Sequence, residues 1–62
     1  MPLDRGQRVI IHRRGQPEDG FYGWVDSVTP VDVVVELDQS TQHGRLISFH
    51  PGEVFPVPNP KL

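Results

Sequence analysis

The chain has 62 residues, no cysteine, and six Lys and Arg against eight Asp and Glu, for a formal net charge of −2. A chain this short forms one small domain that buries only about 60% of the surface exposed when unfolded, with neither disulfides nor cysteine-held zinc to reinforce it. Nine valines and no alanine, punctuated by seven prolines and six glycines, exclude a helix-rich fold, because valine suits a pleated, half-buried surface and alanine is the best helix former.

Five strands are predicted between turn signals. The first runs from about Arg8 to Arg13, entered through Arg5-Gly6-Gln7, and is followed by a Gly-, Pro- and acid-rich loop from Arg14 to Gly20. Alternation puts Val9 and Ile11 on one face and Ile10 and His12 on the other. The second strand, Phe21 to Thr29, ends at Thr29-Pro30. Its Val25 and Val28 lie three apart, so a bulge near Asp26-Ser27 is expected to bring both inward. In the third strand, Asp32 to Leu37, the charges of Asp32 and Glu36 mark the outer face, leaving Val33, Val35 and Leu37 as core. A polar loop, Asp38 to His43, leads through Gly44 to a fourth strand at about Arg45 to Phe49, with Ile47 and Phe49 inward. Pro51-Gly52-Glu53 reads as a single 3₁₀ turn, and Val54 to Val57 as a short fifth strand with Val54 in the core. Residues 1–57 thus read as one all-β domain and 58–62 as a Pro-rich tail suited to polyproline II conformation.

The run Gly6-x-x-Val9-x-Ile11, Gly23-x-Val25-x-x-Val28, Val33-x-Val35-x-Leu37 resembles the SH3-like barrel, in particular the KOW-type domains of ribosomal proteins and transcription elongation factors, and the outward set Ile10, Tyr22 and Trp24 resembles the aromatic platform of Tudor-like barrels. The run is also similar to the small accessory subunit IV of photosystem I, where an Arg-Gly entry precedes a comparable strand. The likeness spans residues 5–57 and implies a five-stranded, partly open barrel with a 3₁₀ turn before the last strand. It implies fold more than function, since most of these residues are what such a barrel needs mechanically. The segment Gly44 to Pro51 is superficially similar to the Gly-x-Val-Gln-Ile-Tyr-Pro run of plasmid-encoded type II dihydrofolate reductases, SH3-like barrels that form a tetrameric pore. The Gln, Ile and Tyr of that run fall on Ile47, Ser48 and Phe49, and none is kept. An oligomeric pore-type enzyme is accordingly the third reading, with no catalytic residue to assign.

With Val25 inward, Trp24 and Tyr22 point outward, and Ile10 joins them from the first strand, which is expected to pair antiparallel with the second. Aromatic and large apolar groups on an outer face are typical of interface hot spots. The expected contact face is therefore Ile10, Tyr22 and Trp24, with Arg8 and Arg13 at its rim. The leading reading is a non-enzymatic binding module, an accessory subunit or regulator that meets a protein partner or a second copy of itself. Charge offers an alternative. Residues 1–15 carry four arginines against one acid, for +3, while residues 16–62 carry −5. A basic edge of Arg5, Arg8, Arg13 and Arg14 beside Tyr22 and Trp24 suits stacked bases and phosphates, as in a KOW-type nucleic-acid-binding module. The acidic balance of the whole chain argues the other way.

No metal or other cofactor is expected: His12, His43 and His50, spaced by 31 and 7 residues, match no ligand motif. No serine lies in a nucleophile elbow. The longest apolar runs, Val9–Ile11 and Val33–Val35, are three residues each, against the roughly 20 needed to cross a bilayer, and the start has no apolar stretch that could act as a signal peptide. A soluble, cytoplasmic protein is the expectation.

Overall fold

The computed structural model describes residues 3–58. These residues form five antiparallel strands, β1 (Arg8–Ile11), β2 (Tyr22–Val28), β3 (Val33–Thr41), β4 (Gly44–Phe49) and β5 (Val54–Pro56), with a 3₁₀ turn, Pro51–Glu53, before the last. There is no α-helix among the described residues, and none is long and apolar enough to cross a membrane. The strands make one sheet in the order β4-β3-β2-β1-β5.

The outermost strands of that sheet, β4 and β5, are joined by His50 and the 3₁₀ turn alone. In a flat sheet they would stand about 19 Å apart, four spacings of some 4.8 Å, whereas a 3₁₀ turn rises only about 2 Å per residue. The sheet must therefore curl, bringing Phe49 of β4 and Val54 of β5 into one core with Val9, Ile11, Val25, Val33, Val35 and Leu37. Ile47 packs against this cluster from a half-buried position. The result is a small, barrel-like sheet that hydrogen bonds leave open between its edges.

The expected bulge is present. Val25 opposes Val35 but Ser27 opposes Val34, so Asp26 is the extra residue on β2. Its consequence differs at one position. Val28 does return to the side of its partner Val33, yet it is 46% exposed and not core, because it lies at the mouth of the barrel with Leu3, Pro30 and Phe55 around a cleft. The 3₁₀ turn is closed by a reciprocal cap. The Gly52 N–H donates to His50 Nδ1 at 3.3 Å, and the His50 N–H donates to Glu53 Oε1 at 3.0 Å.

Several boundaries differ from expectation, most of them by one residue. β1 stops at Ile11 and β5 at Pro56, two residues and one residue early. The segment Asp38–Thr41, expected as loop, continues β3 into a hairpin turned by Gln42 and His43, with Gly44 at φ 90°. A β-carbon is strained at that φ, so glycine there lets the chain re-enter β4. The β3–β4 ladder breaks between Glu36 and Thr41, where Arg45 Nε donates to the Leu37 carbonyl at 3.1 Å.

Candidate binding face

Strand alternation builds the face. Because Val9, Ile11, Val25 and Val35 fill the core, their neighbours in sequence point away from it. Register then sets Arg8 beside Trp24, Ile10 beside Tyr22 and Phe55, and Trp24 beside Glu36, which in turn lies beside Leu46. Trp24 and Tyr22 are 47% and 44% exposed, and Phe55 and Leu46 are exposed as well. Leu46 and Phe55 were not singled out in the sequence, though each directly adjoins a core position, Ile47 or Val54, and alternation alone marks them.

Arg8 lies against both rings of this surface. Its guanidinium lies 4.8 Å from the Trp24 ring centroid and 5.4 Å from that of Tyr22, within range of cation–π attraction. It also makes a bidentate pair with Asp38, Nη1 to Oδ1 at 2.8 Å and Nη2 to Oδ2 at 2.7 Å. That hydrogen bonding raises the Arg8 pKa and holds the Asp38 carboxyl below its ordinary value, with burial opposing both shifts. The pair exists because β3 runs on to Asp38, so the residue expected in a loop is what fixes Arg8 over the rings.

Arg13 does not belong to this face. It lies beyond the end of β1, its guanidinium 4.9 Å from the ring centroid of buried Phe49. Its Nε donates to Glu53 Oε2 at 3.2 Å. The Glu53 carboxyl is held below its usual range chiefly by the His50 N–H and then by Arg13. Arg5 and Arg14 are exposed, and neither forms an ion pair among the described residues. Of the four arginines, Arg8 and Arg13 are thus each paired with a carboxylate.

The chain beyond β5 runs beside the face. The Val57 N–H donates to the Arg8 carbonyl at 2.9 Å, and Pro56, Val57 and Pro58 form a cleft of about 410 Å³ with Gly6, Gln7, Arg8 and Trp24. The rest of the Pro-rich tail, 59–62, lies outside the described residues. His12 packs edge-on against Phe55, His50 caps the 3₁₀ turn and His43 sits in the hairpin turn. No group of three or more His, Asp or Glu suited to a metal ion occurs among the described residues. A scan of protein-family models finds no match to this chain, and no curated protein or solved structure matches it.

Proposed function

We propose that the chain is a non-enzymatic, SH3-like binding module, an accessory subunit or regulator that docks a protein partner on the outer face of β1 and β2. The observation that carries this reading is Trp24, half exposed beside half-exposed Tyr22 while eight smaller-framed residues complete the core without either ring. Ile10 stands opposite both Tyr22 and Phe55 in register, so apolar residues of three strands are neighbours on this face. Arg8, held by Asp38, keeps the rings in place and offers a fixed, partly neutralised polar rim.

A KOW-type nucleic-acid module draws less support. Arg8 is committed to a carboxylate, Arg13 packs on buried Phe49, and Glu36 lies next to Trp24, where it would repel a phosphate backbone. The pore-type enzyme has no residue to carry its chemistry.

The test compares immobilised wild-type protein with its Trp24→Ala variant for retention of a partner from cell extract, with the affinity of the retained protein then measured. The variant should bind more weakly by about 2 kcal/mol or more, as for a central aromatic anchor. Equal affinity for both would overturn the reading.

A further inference from the structure

Glu36 carries a charge that the outer face does not balance. It is exposed, lies opposite Trp24 on one side and Leu46 on the other, and forms no ion pair among the described residues. Directly opposed residues of antiparallel strands have β-carbons about 4.5–5.5 Å apart. Both neighbours are large, apolar and about half exposed, Trp24 at 47% and Leu46 at 57%. The three side chains thus make a row across β2, β3 and β4 with the carboxylate in the middle.

The nearby cations of the chain are placed otherwise. Arg8 gives both terminal nitrogens to Asp38, one to each oxygen, and lies over the Trp24 and Tyr22 rings. Arg45 precedes Leu46 in β4, so alternation turns it to the other side of the sheet, where its Nε donates to the Leu37 carbonyl. A body that covers the indole also covers the carboxylate opposite it. Withdrawing an ionised carboxylate from water is costly unless a donor replaces the water. With Arg8 and Arg45 so placed, that donor has to come from the partner. The ring faces are not its seat, because Arg8 already lies over them.

We infer that the partner docking on this face presents a lysine or arginine to Glu36, between apolar side chains that pack on Trp24 and Leu46. The inference rests on the docking reading above and names its chemistry: a protein segment in which apolar residues flank a cation, and not an acidic segment. Charge matching of this kind selects the partner and fixes its register more than it adds affinity.

The experiment titrates two capped peptides into the whole protein, Ac-Leu-Ser-Lys-Ser-Leu-NH2 and its counterpart with Glu in place of Lys. Amide and indole N–H shifts are followed by NMR. In an extended peptide the two leucines and the central charge share one side. The lysine peptide should give saturable shifts at Trp24, Glu36 and Leu46, bind about tenfold or more tightly than the glutamate peptide, and lose affinity as salt is added. Glu36→Gln changes an exposed side chain and should weaken the lysine peptide by about fivefold or more. Equal affinity of the wild-type protein for both peptides, with shifts at Trp24, would overturn the inference and leave the docking face standing. Shifts at Trp24 with neither peptide would overturn it together with the face. Unchanged affinity for the lysine peptide in Glu36→Gln would overturn it as well, since the cation would then be received elsewhere.

Discussion

At the scale of single residues, the pair Arg8–Asp38 is the most informative contact on the surface. Exposed ion pairs contribute little, about 0.2–1 kcal/mol, and Asp38 is well exposed. This pair does more than its energy implies, since it clamps a guanidinium over two rings that would otherwise sample several rotamers. Its pH behaviour follows from the lowered Asp38 pKa. The unfolded chain takes up the proton at an ordinary carboxylate value near 3.9, whereas the folded chain takes it up only at lower pH. The contribution is therefore complete above that ordinary value and is lost as pH falls through the folded one. Asp38→Asn should cost less than about 1 kcal/mol at neutral pH, and the gap between variant and wild type should close at acid pH. Urea unfolding at a series of pH values measures both. Charge and proximity in sequence group Arg13 with Arg8, yet beyond the end of β1 its guanidinium packs on buried Phe49 and its Nε donates to Glu53.

At the scale of elements, what could be read depended on whether one face met the core. Strand β3 was legible from Val33 to Leu37 because apolar and charged residues alternate there. Beyond Leu37 the hairpin carries only polar residues on both faces, and with no alternation a strand looks like a loop. The bulge in β2 was legible from the three-residue step between Val25 and Val28. The exposure of Val28 was not, since it depends on what covers the mouth of the barrel and not on the strand itself. Gly23 lets β2 lie close against β3. A β-carbon there would lie 2.6 Å from Val35 Cγ1 and 2.7 Å from the Glu36 carbonyl oxygen. Since the backbone oxygen cannot step aside, Gly23→Ala should destabilise the domain by about 2 kcal/mol or more. A shift of the urea midpoint without a change in slope would register it, and an unchanged midpoint would show that the two strands are less closely packed.

At the scale of the whole molecule, the core among the described residues consists of eight buried side chains: five valines, one isoleucine, one leucine and one phenylalanine. The described residues form a body of about 32 × 27 × 19 Å, and in so small a body few side chains can be wholly enclosed. The order β4-β3-β2-β1-β5, closed by one short turn, spends its enclosed volume on those aliphatic groups and leaves the tryptophan, the tyrosine and Phe55 outside. This division between core and face was legible from the sequence because it follows from alternation. The occupant of the face was not, since nothing in a strand pattern encodes the partner. The most direct measurement is the unfolding free energy of Trp24→Ala. If the core is complete without the indole, the variant should fold with a loss of no more than about 1 kcal/mol, the scale of a surface cation–π contact. A loss of 3 kcal/mol or more, as when a core tryptophan is truncated, would mean that the ring holds the barrel together and would contradict the account.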